Sequence, residues 1–324
     1  MSRRPPFVIV TPALADARNG NWQTARRWAG MLSTQFRPSL CRQWTDAATN
    51  PPCELMIALH ARRSAASIAA WAATGKPLVV VLTGTDLYRD IADDADAQRS
   101  LALADRLVVL QERGPLALPA EYRHKAVVCF QSTPARRAQP KTDRHLRLLA
   151  VGHLRQEKAP ATYFDLARKV AGDPGIFLDH IGGPLDPALG EEAAALAASL
   201  VRYRWLGSLP HEAVRRRIGR AHLLVHPSWM EGGAHVVMEA VRSGTAVLAS
   251  RVDGNVGMLG DDYAGYFSPG DVDQLAALVR RCRADPAFMA LLLAQGERRA
   301  PLFSPEREQA TLLQLVTQLI GQQQ

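Results

Sequence analysis

Long apolar runs, paired cysteines and abundant aromatic residues are all missing from this 324-residue chain. No stretch reaches the roughly eighteen apolar residues that a membrane-spanning helix needs. The early apolar run Phe7–Val10 is too short for a secretory signal and has no small-residue cleavage site after it. The four cysteines are scattered without a Cys-x-x-Cys pair or a metal-like spacing to histidine. We therefore expect reduced thiols in a cytoplasmic protein that has no stable membrane association.

Aromatic residues make up 6% of the chain, too few for the aromatic, basic platform on which single-stranded nucleic acids stack. The formal net charge of +8 favours anionic partners, and the basic residues are spread as short pairs and triplets. A phosphate-bearing small molecule explains this charge at least as well as a nucleic acid does. No Asp-x-Asp cluster stands in the context of a donor site, and Asp93-Asp94 and Asp261-Asp262 are typical of surface acids. We therefore expect no metal.

Strand-like apolar runs alternate with helical stretches in two series, which a polar, proline-containing segment separates. The runs are Phe7–Val10, Leu55–Leu59, Leu78–Leu82, Leu107–Leu110 and Ala126–Phe130, then Leu146–Val151, Ile176–Ile181, Tyr203–Leu206, Leu223–Val225 and Ala246–Ala249. This alternation predicts an α/β protein with two Rossmann-like, doubly wound domains that face each other across a cleft. The predicted parts are a first domain at 1–135, a linker at 136–145, a second domain at 146–302 and a C-terminal helix at 303–324.

The segment from His226 to Val241 follows a predicted strand and opens a helix. Two glycines at such a junction let a ligand approach the backbone, and the helix start offers N–H groups to an anion. Glu231 lies on the loop and Glu239 on the helix, so a diphosphate would have one carboxylate on each side. Ionised carboxylates accept charge-assisted hydrogen bonds from sugar hydroxyls. Considered singly, each glutamate is more often a surface acid.

The spacing Pro-Ser-x-x-Glu-Gly, Glu-Ala-x-x-x-Gly-x-x-Val resembles the E-x7-E block of the retaining GT-B glycosyltransferases of family 4, with Glu231 and Glu239 as its acids. The resemblance implies a GT-B fold, an acceptor-side first domain, a nucleotide-sugar-binding second domain and a C-terminal helix that packs back towards the first. Glu231 is then a catalytic candidate. The implied donor-binding residues of this block are Gly232, Gly233, Ala234, His235 and Glu239.

A second match begins the second domain, at Val151-Gly152-His153-Leu154-Arg155-Gln156-Glu157-Lys158. The family has Gly-Arg-Leu-x-x-x-Lys here, and its two cations neutralise the donor diphosphate as the leaving group develops charge. Lys158 matches the lysine, although a loop lysine of this kind can also be merely solvated. His153 stands where the family has arginine, so either Arg155, two residues on, supplies the missing charge or His153 is the weaker substitute; we predict Arg155 as a catalytic residue and His153 as a donor-binding one.

Three segments of the first half carry further candidates. Thr83 and Asp86 lie in a stretch that resembles the family's His-Gly-x-Asp segment, with threonine in place of the histidine, and they are acceptor-binding candidates. His60 follows a strand at its carboxyl end, where α/β sheets place ligands, and is either catalytic or an ordinary loop histidine. Gly20 and Asn21 match the glycine loop with which the family reaches the sugar diphosphate.

Four segments together resemble the selenosugar synthases of selenoneine biosynthesis: Gly20–Trp28, Ala58–Ser64, Leu82–Tyr88 and Val151–Arg155. This resemblance implies transfer of a hexose, of the N-acetylglucosamine or glucose type, from a UDP-sugar to selenophosphate, with formation of a carbon–selenium bond and without a cofactor. Selenium is already a good nucleophile at neutral pH, so such an acceptor needs fixed cations more than a strong general base. Arg62 and Arg63 are the acceptor-binding candidates.

Other functions fit parts of the same pattern. A family 4 O-glycosyltransferase would take a sugar, lipid or natural product as its acceptor. A non-catalytic protein that binds the same donors, or a nucleic-acid-binding protein, is the alternative outside the enzymes. Glu231, Glu239 and Lys158 together favour catalysis.

Overall fold

Twelve short strands and the helices between them account for most of the computed structural model, which describes residues 4–12 and 20–321. The strands are β1 (Pro6–Val10), β2 (Arg37–Cys41), β3 (Met56–Leu59), β4 (Leu78–Leu82), β5 (Arg106–Val109), β6 (Ala126–Val128), β7 (Leu146–Val151), β8 (Ile176–Ile181), β9 (Tyr203–Trp205), β10 (Leu223–His226), β11 (Ala246–Ser250) and β12 (Tyr266–Phe267). The α-helices are α1 (Gly20–Leu32), α2 (Ala65–Ala72), α3 (Ile91–Asp93), α4 (Ala95–Leu103), α5 (Gly114–Ala117), α6 (Pro160–Lys169), α7 (Pro187–Ser199), α8 (His211–Arg220), α9 (His235–Val241), α10 (Asp253–Leu259), α11 (Val272–Ala284), α12 (Pro286–Arg299) and α13 (Pro305–Gly321). None of these helices is long and apolar enough to cross a membrane.

The first sheet contains six parallel strands in the order β2-β1-β3-β4-β5-β6. Every residue of β1, β3 and β4 is buried, which explains why these strands are continuous apolar runs in the sequence. The edge strand β2 is missing from the sequence prediction because Arg-Pro-Ser-Leu-Cys has no apolar run. Its pairing with β1, from Pro6 opposite Arg37 to Val10 opposite Cys41, makes it a strand.

The C-terminal helix α13 packs on the core of the first sheet. Its buried apolar residues are Leu312, Leu315, Val316, Leu319 and Ile320. The carboxylate of Glu308, near the start of the helix, is 1% exposed. It accepts two hydrogen bonds of 2.9 Å from the Arg27 guanidinium and one of 2.6 Å from the Trp28 indole N–H. This bonding fixes α13 against α1, which carries both partners.

The second sheet is also parallel, in the order β12-β11-β10-β7-β8-β9. The prediction omitted β12, a two-residue edge strand, and gave no separate bounds for the helices α4, α10 and α12. Two of these helices begin with an aspartate cap: Asp94 accepts a hydrogen bond from the Ala97 N–H, and Asp285 accepts one from the Phe288 N–H. The sequence around each cap is polar, so apolar periodicity alone does not mark the start of either helix.

The chain divides into two compact units. The described residues up to Gln131, together with those from Pro305 onward, form the first unit, and Ser132–Ser304 form the second. The segment predicted as a linker, 136–145, belongs to the second unit. The Arg136 N–H donates to the Arg242 carbonyl, and the Lys141 ammonium donates to the Gly244 carbonyl at 2.8 Å. Main-chain carbonyl groups of the second unit therefore hold this segment.

Candidate functional site

Most of the candidate donor residues lie at the carboxyl edge of the second sheet, which is where open α/β sheets bind ligands. The loop after β10 carries Glu231, and the turn after β7 carries Lys158. A Cβ atom at Gly254, in the first turn of α10, would lie 1.9 Å from the Glu231 carbonyl oxygen. Only glycine permits this approach, so α10 sets the position of the Glu231 loop.

Glu231 is a buried carboxylate, 7% exposed, with two cationic or potentially cationic partners. Its Oε1 lies 2.5 Å from Lys158 Nζ and 3.0 Å from His226 Nε2. Burial by itself raises the pKa of Glu231, but the Lys158 ammonium and the His226 imidazole outweigh burial and hold that pKa well below its ordinary value. Glu231 is therefore ionised throughout the neutral range, which suits an acceptor of sugar hydroxyls.

Glu239, on the inner face of α9, is 3% exposed and pairs with α8. Its Oε1 lies 2.6 Å from His211 Nε2 and 3.9 Å from Arg215 Nε. The hydrogen bond to Glu239 raises the pKa of His211 above its ordinary value. The two acids of the E-x7-E block thus have separate basic partners, and each is held in one orientation.

The three cations predicted around the diphosphate occupy different environments. The Lys158 side chain is 25% exposed and already contacts Glu231. Arg155 is 42% exposed, with its Nε 3.9 Å from Glu157, and His153 is exposed beside Gly183. Of these three cations, Lys158 is the one that the fold brings to Glu231, while Arg155 and His153 stay predictions for donor contact.

The backbone between the two acids passes from loop to helix as the sequence predicts. Gly232 and Ala234 are buried, Gly233 and His235 are half-buried, and α9 begins at His235. The Ala234 N–H points to the Met258 sulfur at 3.0 Å, so α10 contacts this junction too.

His60, in the first unit, has a left-handed backbone conformation with φ of 72°. Such a value is rare and strained for a residue other than glycine, and strain of this kind concentrates at functional sites. The ring is buried, its Nδ1 accepts the Arg63 N–H at 3.4 Å, and its Nε2 lies 3.2 Å from the Thr85 hydroxyl. Burial lowers the pKa of His60, so the ring is neutral at neutral pH with its proton assigned to Nε2. Both nitrogens are engaged, and His60 positions the turn after β3 rather than offering a free base.

Asp86 is fully buried and holds the loop after β4. Its Oδ1 accepts the N–H groups of Thr83 and Gly84 at 2.8 and 2.9 Å, and its Oδ2 accepts the Ala61 N–H at 3.0 Å. The carboxylate therefore fixes the backbone of this loop, and its role in binding an acceptor stays a prediction. Thr83 is half-buried beside it.

Arg62 and Arg63 differ in their ion-pair partners. The Arg62 Nε lies 2.8 Å from Asp94, and its Nη1 lies 3.9 Å from Asp90. Within residues 4–12 and 20–321, no carboxylate pairs with the exposed guanidinium of Arg63. Of the two candidates, Arg63 is the cation available to an anionic acceptor.

The glycine loop predicted before α1 lies only partly within the described residues. Gly20 and Asn21 are the first residues of α1, whereas 13–19 lie outside the described ranges. Among the residues with described positions, none has an atom within 4 Å of a Cβ placed at Gly20.

Four residues that contact or shape the surroundings of Glu231 and Glu239 were not predicted: His226, His211, Arg215 and Gly254. His226 was recognisable as a polar residue that ends an apolar strand at the ligand-binding edge of the sheet. His211 and Arg215 are spaced i, i+4 and so share one face of α8, although nothing in the sequence directs that face to Glu239. Among the residues with described positions, no group of three or more histidines, cysteines or acids has a geometry that could hold a metal ion.

Comparisons with known proteins agree with this architecture. The chain is 30% identical over 244 residues to a D-inositol 3-phosphate glycosyltransferase of Salinispora arenicola (strain CNS-205), an alignment that covers 75% of this chain and 50% of that protein. It is 32% identical over 104 residues to O-antigen chain mannosyltransferase B of Escherichia coli, which covers 32% of this chain and 27% of that protein. The chain spans about half the length of the first of these curated relatives, and less of the second.

Solved structures share the fold at low identity. Sucrose-phosphate synthase of Thermosynechococcus elongatus superimposes with a TM-score of 0.77 at 18% identity, covering 98% of this chain and 100% of that one. Anabaena HepE in complex with UDP and glucose gives a TM-score of 0.74 at 13% identity, covering 97% and 100%. The predicted GT-B fold class, with its parallel sheets and long C-terminal helix, is confirmed.

The family model "Glycosyl transferases group 1" matches residues 131–298, which is more than half of the chain and includes both acids of the E-x7-E block together with Lys158. The chain belongs to the group 1 glycosyl transferases.

Proposed function

We propose that this protein transfers a hexosyl group from a UDP-hexose to selenophosphate. The observation that carries the transferase part is the pair of contacts at the carboxyl edge of the second sheet, in which buried, ionised Glu231 contacts Lys158 and His226. The acceptor part is supported by the exposed Arg63 guanidinium beside strained, neutral His60.

The donor residues suit a nucleotide sugar. Glu239 would accept hydrogen bonds from the ribose hydroxyls, Glu231 would accept them from the hexose, and Lys158 would contact the diphosphate between them. A lysine ammonium has three donors, so Lys158 can bind a phosphate oxygen while it keeps its contact with Glu231. UDP as the nucleotide is supported by HepE, whose structures contain UDP, UDP-glucose, or UDP with glucose.

In the proposed reaction the selenium atom attacks the anomeric carbon of the hexose. The bond from that carbon to the diphosphate oxygen breaks, and UDP leaves with the electron pair. Lys158 stabilises the charge that grows on the leaving phosphate, and stabilisation that grows in the transition state is what raises the rate. The first product is a hexose bonded through selenium to phosphate, and hydrolysis of its phosphorus–selenium bond by water yields the selenosugar and phosphate.

The acceptor would be held by charge rather than activated by a base. The His60 nitrogens are engaged with the Arg63 N–H and the Thr85 hydroxyl, so no free base stands on this turn. Selenophosphate needs none, because its selenium is nucleophilic at neutral pH. The Arg63 guanidinium offers several N–H donors to such a small, dense anion.

The decisive experiment incubates the purified protein with selenophosphate and either UDP-glucose or UDP-N-acetylglucosamine, and measures UDP release together with the mass spectrum of the products. We expect UDP release that depends on selenophosphate, a product with the selenium isotope pattern, and activity that survives EDTA. UDP release that ignores selenophosphate and requires a hydroxyl acceptor would overturn the proposal.

Two neighbouring arginines provide a matched pair of variants. Arg63→Ala removes the cation without a carboxylate partner, and we expect the KM for selenophosphate to rise by about tenfold or more, the usual effect of one charged hydrogen bond. Arg62→Ala removes a cation that Asp94 already occupies, so its effect on that KM should be smaller. Equal effects of the two variants would argue against Arg63 as the acceptor ligand.

A second candidate is transfer to the hydroxyl of a phosphorylated polyol. The similarity to a D-inositol 3-phosphate glycosyltransferase favours it, and Arg63 could bind the phosphate of that acceptor in the same way. Inositol 3-phosphate as the added acceptor, with UDP release as the readout, separates the two candidates.

A further inference from the structure

His226 ends β10 at the carboxyl edge of the second sheet and is 2% exposed. The three residues before it on the strand, Leu223–Val225, are apolar, so His226 is the polar residue with which the strand ends. Its Nε2 lies 3.0 Å from Glu231 Oε1 and 3.3 Å from the Ser228 hydroxyl. The carboxylate can only accept, so Nε2 carries the proton that it donates to Glu231.

The two charged or chargeable groups that face Glu231 differ in how firmly they are held. Lys158 reaches Glu231 from the turn after β7 on a flexible stem, and a quarter of its side chain is exposed. His226 is buried within the sheet. When a diphosphate draws Lys158 towards itself, Glu231 loses part of its pairing, and an unpaired buried carboxylate is strongly destabilised. His226 is the partner that remains.

We propose that His226 is a positioning residue that keeps the Glu231 carboxylate ionised and in place while Lys158 contacts the donor diphosphate. The inference rests on the proposed function for its kinetic consequences. The contact between His226 and Glu231 does not depend on which acceptor the enzyme takes.

A second layer of hydrogen bonds makes this position rigid. The Ser250 hydroxyl donates to the Ser228 carbonyl at 2.5 Å, and the Asn255 amide donates to the Ser250 carbonyl at 2.9 Å. Both Ser250 and Asn255 are fully buried. Ser250, at the end of β11, and Asn255, on α10, therefore hold the segment between His226 and Glu231 in place. This keeps the imidazole at a constant distance from the carboxylate.

Three variants test the role. His226→Leu removes the donor and keeps an apolar side chain, whereas His226→Gln retains an amide donor near the position of Nε2. The control is His222→Leu, in the residue just before the same strand, where the ring nitrogens bond to the backbone of Arg147 and Thr142 and the ring packs edge-on against His145. Steady-state kinetics with UDP-glucose, calorimetry with UDP, and carbon-13 NMR of labelled glutamate carboxyls are measured for each, with the Glu231 signal assigned by its loss in Glu231→Gln.

For His226→Leu we expect kcat to fall by about 10- to 100-fold, the loss of one hydrogen bond to a charged group, while the Kd for UDP changes less than about twofold. The Glu231 carboxyl should titrate at higher pH than in the wild type. The acidic limb of the pH profile of kcat should shift to higher pH by the same amount. His226→Gln should recover most of the kcat, and the control should match the wild type.

An unchanged Glu231 titration or an unchanged kcat in His226→Leu would overturn the inference. An equal loss in His226→Gln and His226→Leu would also count against it, since a donor alone would then not suffice. If the wild type neither binds UDP nor consumes UDP-glucose, the proposed function fails, and the NMR titration still decides whether His226 holds the carboxylate.

Discussion

Replacing Glu239 with glutamine tests the donor site with the smallest change of shape. The side chain keeps its size and one carbonyl oxygen, but it loses its negative charge. In the structure this carboxylate is 3% exposed and lies 2.6 Å from His211 Nε2, so it is already oriented before a ligand binds. Nothing has to be ordered for a ribose hydroxyl to donate to it.

The magnitude follows from that preorganisation. A hydrogen bond to a charged group contributes about 1.5–3 kcal/mol to the free energy of binding. Each ~1.4 kcal/mol of binding free energy changes the affinity tenfold. We therefore expect Glu239→Gln to weaken UDP binding by about 10- to 150-fold. Calorimetric titration with UDP and with UDP-glucose measures the effect, and both ligands should lose the same factor because they share the ribose.

Glu212→Gln is the matched control. Glu212 also lies on α8, the helix that packs beside α9, but its side chain is 58% exposed and contacts Arg136. This variant should leave the Kd unchanged. If Glu239→Gln binds UDP as tightly as the wild type does, Glu239 does not contact the ribose and the donor site lies elsewhere.

The same variant has a pH signature in stability. The pKa of His211 is raised by its hydrogen bond to Glu239, so the pair stabilises the fold below the ordinary histidine pKa of 6.5. This contribution is lost as the pH rises through the raised pKa. Because the His211 side chain is 74% exposed, solvent screening keeps the effect small. The decline in melting temperature above pH 6.5 should be shallower in Glu239→Gln.

Three further changes follow from individual contacts. Lys158→Ala should lower kcat about 100-fold or more in the UDP-glucose assay, because the leaving group loses its cation; a change confined to KM would contradict this. Gly254→Ala places a methyl group 1.9 Å from the Glu231 carbonyl oxygen, so both the melting temperature and kcat should fall, and wild-type values would show that the loop moves freely. Glu308→Gln should destabilise the protein to chemical denaturation by about 3–5 kcal/mol, since it breaks a buried ion pair, whereas exposed Glu306→Gln should change it by less than about 0.5 kcal/mol.

The buried parallel strands were predictable because each one is a continuous apolar run in the amino-acid sequence. Residues 78–82 are apolar without interruption and form the fully buried strand β4. The strand–loop–helix setting of Glu231 and Glu239 was predictable for the same reason, together with the two glycines that separate them. Strand β2 was not, because its residues are half-exposed at a sheet edge and only its pairing with β1 makes it a strand.

The amino-acid sequence by itself determined the α/β alternation, the E-x7-E spacing and the position of Lys158 after a strand, because each depends on residues close together along the chain. The tertiary structure decided which distant groups meet. Glu231 lies 73 residues from Lys158, and Glu239 lies 28 residues from His211. Local patterns cannot encode these contacts, because they form only when the parallel sheet aligns the carboxyl ends of separate strands and when α8 packs beside α9. The availability of Arg63, and the engagement of Arg62 with Asp94, is likewise a property of the folded turn.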